Sequence, residues 1–557
     1  MTLLAQIPPL QIPDIAWSAI SPELVLFGVG ILALLLDTAG PQRLQASFLV
    51  FGFAAAGAGY IALSTEQSVL PGLVGLAALG QFALTAIWRD RPRLLSALLA
   101  ALGFAGAIGV TTWQWGAYSG RLVGADAATF VGTDSLLGGM VAVDGVALFT
   151  RVTVCLAGLV TVPLSFAYAE ERRIHRGEYY PLLLFAATGM TLLASSADFI
   201  MVFIAIEVLS LSLYILAGFA KRDLNSQEAA LKYFLLGAFS SALLLYGIAL
   251  VYGVTGSTNI AEAGRAFSSL DAPQGMAVAA MALLIVGFGF KTAIVPFHMW
   301  TPDVYQGAPT PITGFMAAAT KAAAFAAFLR VFVGAFAPLQ WSWTPVLWVL
   351  AALTMLAGAI LAVVQNDVKR MLGYSAVAHA GYVLIGFVAV NRAGISGVLV
   401  YLLIYTFMSL GSFGVLALLE RRNHKAMAID DLRGLGRRDP VPAGMLALFL
   451  LSLAGIPGTA GFVAKFAVFR AGIEAGHAAL VVIAVVSSVI AAFFYIRVIV
   501  AMFMEDVPEG VAAEAPLAPS TGMSAGIAFS AAVMVAFGTV LPFLLVDLAD
   551  QAATFVS

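Results

Sequence analysis

Long apolar stretches recur from residue 21 to residue 548, each near the length that crosses a bilayer. A spanning α-helix needs about 20 apolar residues. Hydrocarbon offers no partner to a backbone N–H or C=O, so only a helix or a closed barrel survives in it. On that scale the chain divides into sixteen segments: 21–39, 44–63, 68–88, 93–113, 141–167, 179–196, 198–219, 228–253, 276–301, 311–336, 345–364, 368–390, 394–420, 441–474, 477–504 and 522–548. The fourteenth is too long for one simple span and contains GIPGTAG, which predicts a break. Composition agrees: 61% of the 557 residues are hydrophobic and 10% are charged, against about 25% charged in a soluble domain. The expected fold is an all-α polytopic membrane protein of about 16 transmembrane helices.

Positive charge sets the orientation. Loops that follow odd-numbered segments carry seventeen Lys and Arg, among them Arg172, Arg173, Arg176, Arg433, Arg437 and Arg438; loops that follow even-numbered segments carry three, Arg121, Arg265 and Arg392. Lys and Arg collect on the cytoplasmic side, so the odd loops are expected inside and both termini outside. The acidic stretch 505–516, EDVPEGVAAEAP, follows an odd segment and reads as a solvated inner loop. MTLLAQIPPLQIPDIAW has no basic leader, so no cleaved signal peptide is expected.

Other chemistry is thinly represented. A single cysteine, Cys155, lies in an apolar run, where it reads as a small buried residue; it allows neither a disulfide framework nor a cysteine-ligated cluster. Five histidines form no HExxH pattern or close pair, and His175, His424 and His477 fall at loops or segment boundaries. No phosphate-binding glycine motif follows a strand pattern. A net charge of −2 implies no attraction to nucleic acid.

The informative residues are charges inside apolar segments. Eight Lys and Arg lie there: Arg151, Lys232, Lys291, Lys321, Arg330, Lys465, Arg470 and Arg497. The four arginines are explained by snorkelling or packing against a loop. Lys291, Lys321 and Lys465 are flanked on both sides by apolar or small residues, and Glu207 in FIMVFIAIEVLSLSLYIL is as deep. A charge at the bilayer centre costs ~2.5–3.5 kcal/mol on insertion scales, and residues that bear it usually serve a pathway. A structural ion pair is the competing explanation for each residue alone. Four in one chain favour a pathway. Lysine and glutamate suit it because burial brings both towards neutral titration, whereas arginine stays protonated. Glu207 and Lys291 are expected to form a switchable pair. His298 and His379 are candidates to relay protons or only to pack, and Lys232 either tunes Glu207 or sits at the interface.

Two of these lysines lie beside helix breakers. Lys291 comes five residues before Pro296, and Lys465 eight residues after Pro457. Proline removes a backbone donor and clashes with the preceding turn, and unwound backbone at membrane depth lines cavities or ion sites. The breaks fall in segments nine and fourteen. Five is odd, so two five-helix units offset by that number would be inverted relative to each other. The expected division is 1–140, N-terminal helices; 141–178, a linking helix; 179–340, a first five-helix repeat; 341–505, a second, inverted repeat; and 506–557, an acidic loop and C-terminal helix.

EAALKYFLLGAFSSALLLYG, GFGFKTAIVPFHMWTPDVYQGAPTPITGFMAAATKAA, LSLAGIPGTAGFVAKFAVF and GLGRRDPVPAGMLALFLLSLAGIPGTAGF resemble the antiporter-like membrane subunits of respiratory complex I. Within them the pattern is most similar to the subunit N family of bacterial NADH–quinone oxidoreductases, counterparts of mitochondrial subunit 2. The resemblance covers roughly residues 140 to 550. It implies proton translocation through positions matching Glu207, Lys291, Lys321 and Lys465, with Lys232, His298 and His379 in support. It implies no cofactor on this chain, with NADH, FMN, iron–sulfur clusters and quinone used by the whole complex. It also implies neighbouring antiporter-like and other membrane subunits as partners, surrounding lipid, and a bacterial inner membrane location. The family usually has fourteen helices, so two extra ones are expected near 44–88. The chain ends soon after segment sixteen, without the long lateral helix of the distal subunit. A Mrp-type cation/proton antiporter, a membrane subunit of a ferredoxin-linked relative and a purely structural subunit are the other readings these residues allow.

Overall fold

The computed structural model describes residues 17–39, 92–119, 137–269, 275–423, 427–507 and 520–553. Every expected segment among them is helical, while those at 44–63 and 68–88 lie outside the described residues. The helices are α1 (Ser21–Ala39), α2 (Pro92–Tyr118), α3 (Gly145–Glu171), α4 (Tyr179–Ala194), α5 (Phe199–Ala217), α6 (Leu224–Thr255), α7 (Gly275–Thr292) and α8 (Trp300–Gly307). Next come α9 (Thr310–Gly334), α10 (Gln340–Val363), α11 (Val368–Val388), α12 (Arg392–Asn423), α13 (Pro440–Ala454), α14 (Ala460–Glu474), α15 (Ala478–Met504), α16 (Thr521–Val535) and α17 (Pro542–Ala552). Eleven of the helices among the described residues are long and apolar enough to cross a membrane. The protein is a multi-pass, all-α membrane protein.

The two expected breaks are present. The first separates α7 from α8. Ala293 takes a left-handed conformation (φ 63°) that a residue with a Cβ adopts only under constraint. Trp300 Nε1 donates to Phe290 O at 2.8 Å across the gap, and Val295 N donates to Thr354 Oγ1 on α10 at 3.0 Å. The second separates α13 from α14. Gly455 caps α13 at φ 84°, and Gly461 brings α14 so near that a Cβ there would lie 1.7 Å from Ser452 O. The last segment also breaks, unforeseen in the sequence: a π-helical turn at Ala536–Val540 precedes Pro542. A second π-helical turn, Met316–Thr320, sits inside α9 immediately before Lys321.

The centre of the bundle is made by α9, α11 and α12, whose most apolar windows are 94%, 94% and 100% buried, while α6, α10 and α15 face outwards. These central helices are rich in Ala and Gly, which lets backbones approach where lipid supplies no hydrophobic drive. Asp198 caps α5 and bridges to Asn259, and Asp367 caps α11 and bridges to Ala428. Asp367 lies 169 residues after Asp198, and Ala428 lies 169 after Asn259. The flanking backbone bonds repeat as well: Phe199 N to Thr258 O and Val368 N to Met427 O, both 2.8 Å.

Two of the expected snorkelling arginines are instead buried. Arg151 is 0% exposed, pairs with Glu23 at 2.8 Å and donates to Gln114 Oε1 at 3.2 Å. Arg330, 4% exposed, forks onto both oxygens of Asp144 at 2.6 and 2.8 Å and also donates to Ala194 O. A planar guanidinium with five donors can be satisfied fully in place, so neither needs to reach water. Arg497 does pack against a loop, donating to Val363 O at 2.9 Å, and Arg470 pairs with Glu474 on the exposed surface of α14. Cys155 is buried. On the arginine-rich end, Glu505 and Asp506 pair with Arg433 and Arg437, which puts the start of the acidic stretch against those loops.

Candidate functional site

The three deep lysines all point inwards, and each finds a different kind of partner. Lys291, one residue before the end of α7, is 3% exposed. Its ammonium donates to Ser210 Oγ on α5 at 2.6 Å and lies 5.4 to 5.6 Å from the rings of Tyr214, Phe290 and Tyr233. Such aromatic faces stabilise a cation where water is scarce. Ser210 in turn donates to Ile206 O. Lys321, at the π-helical turn of α9, is 3% exposed; it donates to Ala376 O on α11 and lies 5.4 Å from the Tyr405 ring on α12. The extra residue of a π turn re-aims the side chains that follow it.

Lys465 reads the second break. Its ammonium donates to Ala454 O at 2.8 Å and to Ser488 Oγ on α15 at 2.7 Å, and lies 4.8 Å from the Tyr382 ring. Ala454 is the last residue of α13, so the cation meets the carbonyl end of a broken helix, the negative pole of its dipole. A side chain at Gly455 would collide with the lysine, its Cβ falling 2.8 Å from Lys465 Cδ. Lys291 therefore belongs to the first half of its broken helix and Lys465 to the second half.

His379 joins the last two lysines. It is 2% exposed on α11, one turn beyond Ala376, and the charges of both Lys465 and Lys321 act on its ring. Nδ1 meets Tyr401 OH at 2.7 Å and Nε2 meets Tyr495 OH at 3.2 Å. Tyr495 OH is also bonded to Ser375. Both imidazole nitrogens thus face hydroxyls, which donate and accept alike, and His379 packs edge-on to Tyr382 with 5.6 Å between ring centroids.

Several expected pairings are not formed. Glu207 and Lys291 make no ion pair within 4 Å among the described residues; Ser210 takes the lysine's hydrogen bond, and Glu207 Oε1 is buried without a hydrogen-bond partner, close enough for its charge to act on Lys291. The two are held in the separated arrangement. Lys232 does not reach Glu207. It pairs with Glu228 and Asp303, both at 2.6 Å, and Arg370 joins Asp303 at 2.5 Å; the lysine's side chain is 41% exposed. It sits two turns into α6, near the polar end of that helix, which makes it interfacial. His298 lies in the loop between α7 and α8, tilted against Tyr374 at 6.5 Å, and its Nδ1 has no hydrogen-bond partner. Pro296 is exposed on the outside of the bundle, so the first break turns its proline away from Lys291. Pro457 is likewise exposed, in the loop between α13 and α14.

The sequence did not reveal Ser210, Ser488, Tyr401 or Tyr495, since a hydroxyl in an apolar run carries no signal until its neighbour is known. Hydroxyls of Tyr233, Thr301 and Thr320 are buried without partners between α5 and α9. Among the described residues no group of three or more His, Cys, Asp or Glu gathers to hold a metal.

A discontinuous, lysine-lined helical bundle of this kind defines the antiporter-like class of membrane subunit. Residues 196–491 match the family described as NADH:quinone oxidoreductase/Mrp antiporter, TM. NADH-quinone oxidoreductase subunit N from Rhodococcus opacus is 44% identical over 99% of this chain and 98% of that protein. The subunit N of Mycobacterium tuberculosis is 50% identical over 71% of this chain and 75% of its own length. Among solved structures, a chain of respiratory complex I from Thermus thermophilus with bound aureothin has a TM-score of 0.67 and 34% identity, covering 86% of this chain and 99% of that one. A chain of the Mrp complex from Dietzia sp. DQ12-45-1b has a TM-score of 0.71 at 22% identity, which is a likeness of fold alone. Fold does not separate complex I subunits from Mrp antiporters; sequence does. The chain belongs to the NADH-quinone oxidoreductase subunit N family.

Proposed function

We propose that this chain is the proton-translocating membrane subunit of an NADH–quinone oxidoreductase, converting charge movement in neighbouring subunits into proton transfer through Glu207, Lys291, Lys321 and Lys465. The observation that carries the reading is the burial of three lysines against hydroxyls and carbonyls, with His379 between two of them and the half-buried Glu207 near the third. A buried staple would pair opposite charges, as Arg330 and Asp144 do. The three lysines instead rest on neutral hydroxyls and carbonyls, which hold an ammonium yet leave it free to lose its proton.

In this account Glu207 and Lys291 switch by approach. With Glu207 near, Lys291 holds its proton; in the separated arrangement seen here, its ammonium rests on the neutral Ser210 hydroxyl and can pass the proton on. The proton then moves towards Lys321, and from there by His379 and its tyrosines to Lys465. Tyr401 and Tyr495 each give one proton as they take another, so no tyrosinate need form. NADH, FMN, iron–sulfur clusters and quinone act on other subunits of the complex, and other membrane subunits and lipid cover the outward helices. The chain lies in the bacterial inner membrane with both termini outside, the arginine-rich end facing in. Residues 179–340 and 341–505 form the two inverted repeats; the repeated aspartate bridges support that division.

Two measurements test the proposal. Purified from membranes in mild detergent, the chain should migrate with oxidoreductase subunits; migration alone or only with antiporter partners contradicts it. In the assembled complex Lys321→Met should oxidise NADH with lowered proton transfer, and full transfer would reject the pathway.

A further inference from the structure

A second buried network lies at the arginine-rich end of the bundle, outside the row described above. Lys369, in the first turn of α11, stands 3.3 Å from Glu420 near the end of α12, each side chain 7% exposed. Glu420 Oε2 accepts from Thr310 Oγ1 at 2.6 Å and from Tyr168 OH at 3.0 Å. Lys369 also donates to Ala308 O at 3.0 Å.

Two of the converging helices carry the pathway. Thr310 opens α9, which bears Lys321 three turns later, and Lys369 opens α11, which bears Ala376 and His379. Hydroxyls mark the interval. Tyr305 follows Thr301 on α8 and lies near Tyr405, whose ring borders Lys321. Tyr405 is bonded through its hydroxyl to Ser409, one turn nearer Glu420. A network that only pinned helices would do as well with arginine, as Asp144 and Arg330 do at the other end. Here both members can gain or lose a proton, and hydroxyls surround the carboxylate.

We propose that Glu420 loads protons for Lys321 from this end of the bundle, and that Lys369 is a positioning residue that orients its carboxylate towards Thr310. This rests on the reading of Lys321 as a proton carrier. A proton from water forms an O–H bond on the Glu420 carboxylate, and the attraction to Lys369 falls. The new acid donates to Thr310, whose hydroxyl passes its own proton on towards Tyr305 and then Tyr405, each hydroxyl giving one proton as it takes another. The last hop forms an N–H bond on a neutral Lys321 amine. Glu420 is again a carboxylate paired with Lys369, and no electron has moved.

The test uses inverted vesicles containing the whole complex. The double variant Lys369→Met/Glu420→Gln removes both charges together, so no unpaired ion stays buried. It should assemble, oxidise NADH and lose as much proton transfer as Lys321→Met. Wild-type transfer in the assembled double variant overturns the proposal. If the double variant does not assemble, Thr310→Val decides, because it keeps the ion pair and removes only the first hydroxyl: lowered transfer supports the route, and wild-type transfer overturns it. Wild-type transfer in Lys321→Met strikes the underlying pathway instead.

Discussion

At the scale of single residues, cost is what made the site legible. An ionisable side chain in an apolar run is expensive, and Lys291, Lys321, Lys465 and Glu207 stood out on that ground alone; all three lysines are buried and aimed inwards. What they touch was not legible, because Ser210 is 81 residues from Lys291 and Ala376 is 55 from Lys321. The same distance hid the partners of Arg151 and Arg330, which therefore read as snorkelling. The two candidate histidines looked alike in sequence and differ in place. His379→Leu should abolish most proton transfer while the complex assembles, since it removes the group between two hydroxyls and two lysines. His298→Ala should leave transfer near wild type, because His298 bonds neither lysine. Proton uptake per NADH oxidised in vesicles of each variant decides; equal losses would place both in the relay.

At the scale of elements, prolines located both breaks in the sequence, but the geometry that serves the lysines comes from other residues. Pro296 faces outwards, while Gly455 and Gly461 let α13 and α14 close around Lys465. Gly461→Val should force α14 away from Ser452 and cost about 1–3 kcal/mol, the usual price of overpacking. Expected results are a lower melting temperature of the complex and a lower yield of assembled enzyme; unchanged values would mean that the halves do not pack so tightly. The π-helical turn before Lys321 had no sequence signal, since its residues, Met316–Thr320, are ordinary helix formers. The repeated bridges left only a trace, one aspartate and one isoleucine in each unit: Asp198 with Ile260, and Asp367 with Ile429.

At the scale of the whole molecule, the length of the apolar segments carried the fold. Apolar length alone located every described spanning segment, because the bilayer fixes length more strictly than any soluble core does. The arrangement of those helices was not readable, since Ala- and Gly-rich faces pack by shape. Orientation has a direct check: Cys155 is buried, so a Cys155→Ser background allows single-cysteine labelling. Arg437→Cys should react with a membrane-impermeant thiol reagent only in inverted vesicles; labelling in right-side-out cells would reverse the topology. The central claim is that Glu207 and Lys291 move protons by approaching and parting. Proton uptake per NADH oxidised, measured in inverted vesicles from Glu207→Gln and Lys291→Met, tests it most directly. Both variants should assemble and oxidise NADH with a marked loss of uptake, and wild-type uptake in both would contradict the account.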